Sequence, residues 1–360
     1  MHFLGKEPPL LFINKTVFVR VDFDVSFKED GSIADDYRIK RCLPTIDYLL
    51  SKGAKLVLGT KIGDPEKDGG ISCERIFPYL SNISSLSHLR FLRDYPGLEV
   101  KKSTGALTVG EVLLLENLRL FPEEKGDEKF AKEFANNFDF YIHEAFAMCH
   151  RTDTSIALLP KYLVSFVGFN LAQEIETLSK VLENPQRPLI FIVGGAKIES
   201  KLLTINNFLK IADKIIIGGK LPLDPTVQKF AKDKKVFLAD LDIGGLDISE
   251  GSVEEILSIL GNLSKGEGKG TIVWSGPMGQ FENPDHRKGT MEIAKAISES
   301  SAFKIVGGGN TVTALDLLGL VKQFDFISTG GGAMLEFLAE GKLLGIDALN
   351  YKTKLLDWNT

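Results

Sequence analysis

Lys197 and Lys201 stand four residues apart behind two glycines in IVGGAKIESK (192–201), and glycine triplets recur in KIVGGGNTVTA (304–314) and STGGGA (328–333). Residues of these types handle phosphate: glycine lets backbone N–H groups come close to an anion, and a helix start presents the positive end of its dipole. If a helix begins by Lys197, the two ammonium groups share its face, which is costly without an anion between them. Gly194, Gly195, Gly307, Gly308 and Gly309 are the expected cradle, with Thr311 capping a helix or bonding a phosphate oxygen. Asn310 puts a neutral side chain where a Mg²⁺-nucleotide site more naturally carries a carboxylate, and it is the one candidate metal ligand. Gly276 and Glu282 lie in the turn-rich stretch WSGPMGQFE (274–282), where Glu282 either bonds a ribose hydroxyl or faces water. The opposing reading is that the lysines are solvated and the glycines serve turns and close packing.

The first half carries a different set. In VFVRVDFDV (17–25) a period of two puts Val17, Val19, Val21, Phe23 and Val25 on one face and Arg20, Asp22 and Asp24 on the other. Acids near a strand's end suit a substrate hydroxyl. Arg38, Arg119 and Arg151 each fall near a strand end or turn, where guanidiniums either converge on a polyanion or form unrelated surface pairs. His143, Glu144 and His150 in HEAFAMCHR (143–151) match no common ligand spacing, so metal ligation is not expected there.

Such residues need elements that hold them along one edge. Short Val/Ile/Leu-rich runs recur at 17–25, 54–60, 112–118, 140–146, 189–195, 214–219, 271–276, 303–309 and 324–332, with helical patterns such as 127–138 and 199–214 between them. This alternation predicts an α/β fold of parallel sheets covered by helices on both faces, with ligands at the carboxyl ends of the strands. A chain of 360 residues exceeds one ordinary core, so two domains are expected. Residues 166–188 read as one helix ending at Asn184–Pro185. The expected division is therefore a domain over 1–165, a connecting helix over 166–184, a second domain over 185–345, and a tail over 346–360 that returns towards the first domain. SKGEGKG (264–270) reads as a polar loop.

Hydrophobic content of 44% and charged content of 25% describe a soluble globular chain. A formal charge of −5 argues against a nucleic-acid partner held by bulk electrostatics. Cys42, Cys73 and Cys149 show no metal-like pairing, which suits a reducing compartment and small buried hydrophobes. No secretory leader pattern and no apolar run of membrane-spanning length is seen, so a cytoplasmic protein without a membrane partner is expected.

Taken in order, these pieces resemble the phosphoglycerate kinase family over nearly the whole chain. VRVDFDV resembles that family's VRVDFNVP, LLENLRLFPEE its LLENVRFYPEE, and HEAFAMCHR its NDAFGTAHR. VGGAKIESK resembles VGGAKVSDK, WSGPMGQFE resembles WNGPMGVFE, and VGGGNT with STGGGA resemble VGGGDT and STGGGA. The resemblance implies two Rossmann-like domains joined by a hinge, the first binding 3-phosphoglycerate and the second ATP or ADP with Mg²⁺. It implies reversible phosphoryl transfer between 1,3-bisphosphoglycerate with ADP and 3-phosphoglycerate with ATP, in glycolysis and gluconeogenesis. Arg38 falls on the family's catalytic arginine, and Lys201 on the lysine that accompanies the transferred phosphoryl group. Asp22 falls on the acid that holds the sugar-acid hydroxyl, Arg119 and Arg151 on members of the basic patch, and Lys197, Glu282 and Thr311 on nucleotide-binding positions. A monomer acting on small-molecule substrates is expected.

The chain also departs from the family pattern. SHLGRP is TKIGDP here (60–65), so Lys61 stands for a basic-patch histidine, Asp64 for an arginine, and Asp24 for an asparagine of VRVDFNVP. At an effective dielectric of about 20, a unit charge about 4 Å away is worth about 4 kcal/mol before screening. Weaker 3-phosphoglycerate binding is expected unless Asp64 turns away or pairs with a lysine. Ser200 and Asn310 replace two family aspartates near the metal, and Ser275 replaces an asparagine. Between IIIGGK (215–220) and GLDIS (245–249) the chain is shorter than the family pattern, which supplies there a helical wall for the adenine pocket. Two alternatives therefore stand beside an impaired kinase: a non-catalytic relative that binds, and a kinase for a different, less anionic acceptor.

Overall fold

The computed structural model describes residues 1–261 and 269–351; most of the expected loop 264–270 and the tail from 352 onward lie outside them. Seven strands build one sheet: β1 (His2–Phe3), β2 (Thr16–Arg20), β3 (Lys55–Gly59), β4 (Leu89–Leu92), β5 (Val112–Leu115), β6 (Phe140–His143) and β7 (Val164–Val167), in the spatial order β1-β7-β6-β2-β3-β5-β4. Six build another: β8 (Leu189–Val193), β9 (Lys214–Ile217), β10 (Val236–Leu238), β11 (Thr271–Ser275), β12 (Phe303–Gly307) and β13 (Phe326–Ser328), ordered β10-β9-β8-β11-β12-β13. Every pairing between these strands is parallel. Internal packing divides the chain into two compact units, residues 1–174 with the segment from Leu343, and residues 175–342. The division falls between Glu174 and Ile175, inside the helix Phe169–Glu183. In the first unit the segment from Leu343 packs back on the 140s, the Gly345 N–H donating to the Cys149 carbonyl at 2.7 Å.

The cores follow from the apolar runs. Val17, Val19, Val21, Phe23 and Val25 join Ile39, Ile46, Leu56 and Leu58 in one buried cluster. Phe18 points to the opposite face, against Phe134, Phe138 and Tyr141. Each such side chain contributes about 1.5–3 kcal/mol on burial. Register then fixes where chemistry can occur. Arg20 pairs with Gly59 and His143, Ser275 with Val193 and Gly307, and Gly307 with Ser328, so within each sheet the loops of interest leave from one edge.

Each predicted apolar run contains a strand, and four strands were not anticipated. β1, β4 and β10 lie at sheet edges and are only partly covered, so no continuous apolar run announces them. β7 lies inside the sheet, and its presence corrects the helix expected over 166–188: Val164–Val167 pairs with β6, and the helix runs from Phe169 to Glu183. Gly168 makes the junction, because a Cβ there would collide with the Glu144 carboxylate.

Two further expectations are corrected. The β2 ladder ends at Arg20, short of Asp22 and Asp24, because side chains take over the backbone groups: Phe23 N–H donates to Thr60 Oγ1 at 2.9 Å, and Asp24 N–H to Asp22 Oδ1 at 3.3 Å. The helix after β8 begins at Leu202, not by Lys197, so Lys197 and Lys201 do not share its face.

Candidate active site

In the first unit the predicted charged residues come together. Arg38, in the helix Tyr37–Ser51, places Nη1 3.4 Å from Asp22 Oδ1 and 3.4 Å from Asp24 Oδ2. Lys61 Nζ lies 2.6 Å from the same Asp24 oxygen, and Asp24 Oδ1 accepts from the Gly63 N–H at 2.8 Å. Arg119 donates from Nη1 to the Gly63 carbonyl at 2.9 Å and places Nη2 3.3 Å from Asp64. Arg151 Nε donates to Asp153 at 2.7 Å and also feels the charge of Asp64. The Asp22 carboxylate raises the pKa of Arg38 further, so that cation is permanent. Asp24 ties Arg38 to Lys61, and the Gly63 backbone links Arg119 to Asp24, so these three cations form one patch in place of separate surface pairs.

One atom in this patch is unsatisfied. Asp22 is 2% exposed, and its Oδ2 is buried without a hydrogen-bond partner. A buried carboxylate oxygen left so costs about 1–3 kcal/mol or more, which an incoming hydroxyl donor removes. Arg20 makes no part of the open patch: it is fully buried, donating to Ser155 Oγ at 2.8 Å and to the Val21 carbonyl at 2.7 Å.

Residues not anticipated set the frame of this patch. Asn117 is fully buried, its amide donating to the carbonyls of Ile62 and Ile71 at 2.8 Å each and its Oδ1 accepting from Ile62 N–H at 3.3 Å and Arg119 N–H at 3.1 Å. Buried Glu116 accepts from Ser72 Oγ and Cys73 N–H at 2.7 Å each. Together they fasten the 61–64 loop to the turn that carries Arg119. The signal was visible as a Glu-Asn pair interrupting the apolar run 112–118. His143 is buried against Cys149 Sγ at 3.4 Å, and burial lowers its pKa to about 3; Glu144 turns the other way, to Thr45 Oγ1 at 2.9 Å and the Asn170 N–H at 3.0 Å.

In the second unit the glycines divide by role. The N–H groups of Gly194 and Gly195 donate to the carbonyls of Ser275 and Pro277 at 2.9 and 2.8 Å, and Gly276 N–H to Thr311 Oγ1 at 2.7 Å. Those three groups join loop to loop and are not directed at an anion, contrary to the expected cradle. A Cβ on Gly194 would collide with the 276–277 backbone, and one on Gly276 with Gly194. Thr311 is correspondingly buried and does not cap the helix; Gly308, at φ +104°, occupies the N-cap position. What stays open are two helix starts, Gly309–Leu317 and Gly331–Glu340, neither capped by a side chain. Gly309 and Gly332 have nothing within 4 Å of where a Cβ would stand, and Gly307 is packed against Met334. Two uncapped N-termini on adjacent loops present backbone N–H groups and dipole ends of the kind that suit an anion.

Lys201 is buried to 9% exposure, and its Nζ donates to the Lys197 carbonyl at 2.9 Å beside Gly195. Burial first, and then the charge of Lys197, lower its pKa. Lys197, Asn310 and Glu282 are exposed. Lys220, not anticipated, enters this group through its N–H, which donates to the Gly195 carbonyl at 2.9 Å. The shortened 220–245 stretch is filled by short turns, Leu221–Leu223, Pro225–Gln228 and Lys229–Lys232, followed by β10.

The donors along these loops do not fit a protein-held Mg²⁺. Ser200, Ser275, Asn310 and Thr311 are neutral, the one acid of 194–201 is Glu199, and 305–311 and 328–333 contain none. Among the described residues no three of His, Cys, Asp and Glu come together as a metal-binding group. Mg²⁺ is ordinarily held through one or two carboxylates besides nucleotide oxygens and water.

Comparison with known proteins accounts for this combination. The sequence profile of phosphoglycerate kinase matches residues 10–224 and 220–342. The chain is 38% identical to the phosphoglycerate kinase of Aquifex aeolicus, over 91% of this chain and 94% of that protein. It is likewise 38% identical to that of Moorella thermoacetica, over 94% and 97%. The crystal structure of phosphoglycerate kinase from Pyrococcus horikoshii superposes with a TM-score of 0.84 at 29% identity, covering 99% of this chain and all of that one. With two parallel-sheet units, an arginine-rich patch in one and glycine loops at helix starts in the other, this chain belongs to the phosphoglycerate kinase family.

Proposed function

We propose that the chain catalyses reversible phosphoryl transfer between 1,3-bisphosphoglycerate with ADP and 3-phosphoglycerate with ATP, the glycolytic and gluconeogenic step. The observation that carries this reading is the buried, unpartnered Oδ2 of Asp22 beside the Arg38 guanidinium. It is an acceptor set for a hydroxyl, next to a permanent cation. In the forward sense of the kinase reaction, a carboxylate oxygen of 3-phosphoglycerate forms a bond to the γ-phosphorus of ATP as the bond to the ADP oxygen breaks. Charge spreads over the transferring oxygens, so the protein's work is positioning and neutralisation. Asp22 orients the acceptor hydroxyl, with Asp24 holding Lys61 beside it. Arg38, Lys61, Arg119 and Arg151 hold the acceptor's charged groups. Lys201 neutralises the moving phosphoryl group, Lys197 and the helix starts at Gly309 and Gly331 hold nucleotide phosphates, and Glu282 bonds the ribose.

Phosphoglycerate kinases use Mg-nucleotide. Here the neutral loop donors would leave the metal to the nucleotide's own oxygens. Because acceptor and nucleotide residues belong to different compact units, the reaction calls for hinge closure around both substrates. A cytoplasmic monomer is part of the proposal; among the described residues no helix is long and apolar enough to cross a membrane.

A second reading, a binding protein without turnover, draws support from the missing carboxylates and from the acids already paired with the acceptor cations. A coupled assay with 3-phosphoglycerate and Mg-ATP decides. Turnover is expected; none at high enzyme and substrate sinks the kinase reading.

A further inference from the structure

Each cation of the acceptor patch already has a carboxylate on it. Arg38 sits against Asp22 and Asp24, Lys61 against Asp24, Arg119 against Asp64, and Arg151 against Asp153. These pairs are not equal. Asp22 and Asp24 are bound into the frame by backbone N–H groups, and Lys61 is nearly buried. The Asp64 carboxylate, by contrast, spans two cations. Its contact with Arg119 is 3.3 Å, both side chains are about a quarter exposed, and its second oxygen lies 3.4 Å from Lys67, whose side chain is 82% exposed. Arg119 is meanwhile held in place independently, by the bond from Nη1 to the Gly63 carbonyl and by Asn117 beneath its backbone. Its Nη2 end is the part committed to Asp64.

We propose that Asp64 is an exchangeable internal counter-ion of Arg119: the acceptor's phosphate binds by displacing the Asp64 carboxylate, which swings to Lys67. This inference rests on the kinase reading, in which Arg119 grips that phosphate. Two consequences follow from charge alone. A phosphate dianion outcompetes a monocarboxylate for a guanidinium, whereas an acid without phosphate offers no more than Asp64 itself does. Asp64 thus raises the KM for 3-phosphoglycerate and leaves a non-phosphorylated acid with nothing to gain from Arg119. Lys67, three residues away on the short helix Pro65–Asp68, is the resting place that keeps the exchange from leaving an unpaired charge.

The test is Asp64→Asn on the full chain, with steady-state kinetics in 3-phosphoglycerate, calorimetric binding of 3-phosphoglycerate, and competition by D-glycerate. Expected are a fall of about three- to tenfold in both KM and dissociation constant, a kcat within about twofold, and a smaller gain in D-glycerate affinity than in 3-phosphoglycerate affinity, since D-glycerate has no phosphate to place on Arg119. Lys67→Ala is expected to raise KM in the wild-type chain and to leave KM unchanged in the Asp64→Asn chain, since its partner is then gone. An active wild type whose KM is unmoved or raised by Asp64→Asn overturns the exchange and leaves the kinase reading standing. If neither protein binds 3-phosphoglycerate or turns over, the kinase reading itself fails, and the exchange with it.

Discussion

Lys201 joins burial to chemistry. Its ammonium is largely out of water, near the like charge of Lys197, and its Nζ is held by the Lys197 carbonyl. A desolvated cation gains more from a phosphoryl oxygen than a solvated one, because less water is displaced when the anion arrives. Lys201→Ala is therefore expected to lower kcat by about 10²- to 10³-fold while circular dichroism shows an intact fold; full activity would remove Lys201 from the mechanism. Asn310 poses the complementary question, because it is exposed at the start of the helix Gly309–Leu317 and carries no charge. In Asn310→Asp, ADP is expected to bind about tenfold more tightly with Mg²⁺ present, one modest charge contact, and more weakly with the metal chelated. Calorimetry with and without Mg²⁺ reads both, and equal affinities in the two proteins would mean that residue 310 does not face the metal.

Among the elements, the helix Phe169–Glu183 depends on a residue outside it. Glu144, fully buried at the end of β6, accepts from Thr45 and from the Asn170 and Leu171 N–H groups of the helix's first turn. Burial raises its pKa to about 8, against the opposing pull of the Asn170 and Thr45 bonds. A folded-state value above the ordinary one of about 4.5 means that the folded chain holds this proton more tightly. Its contribution to stability is complete below about pH 4.5 and is lost as pH rises through about 8. Glu144→Gln fixes the neutral state, so its melting temperature is expected to fall less than that of the wild type between pH 5 and pH 8; parallel profiles would show that Glu144 does not titrate there. The element scale also shows what the sequence made legible. Strands with both faces covered announce themselves as unbroken apolar runs, and β5, β8 and β11 did so. The half-covered edges β1, β4 and β10 have no such signature, and β7 was absorbed into the helix that follows it. At the candidate site, residue types pointed to Arg38, Lys61 and Arg119, which the fold brings together, and to the glycine-flanked helix starts. They did not disclose that Gly194, Gly195 and Gly276 spend their N–H groups on neighbouring loops, because a glycine chosen for close packing and one chosen for an anion are the same letter. The role of Asn117 was hidden for the converse reason: its value lies in three hydrogen bonds to the distant backbone of Ile62 and Ile71, which spacing does not encode.

At the scale of the whole molecule, the division of labour itself makes a prediction. On the proposed reading, the acceptor patch lies in residues 1–174 with the segment from Leu343, and the nucleotide loops lie in 175–342. The helix between them crosses the division, and the chain crosses back at Leu343, so two connections link the units. A reaction that needs water excluded and charges matched cannot be completed by either unit alone. Each substrate alone satisfies only its own half, and the free energy that favours closure is available when both are bound, as differential affinity for the closed state. Small-angle scattering is expected to show the radius of gyration unchanged by 3-phosphoglycerate alone, and reduced when 3-phosphoglycerate and a non-hydrolysable Mg-ATP analogue are present together. Asp64→Asn, by strengthening the acceptor's hold, is expected to bring that reduction at lower acceptor concentration. A radius that stays constant with both ligands at saturating concentration would rule out large hinge closure and require transfer to proceed without it.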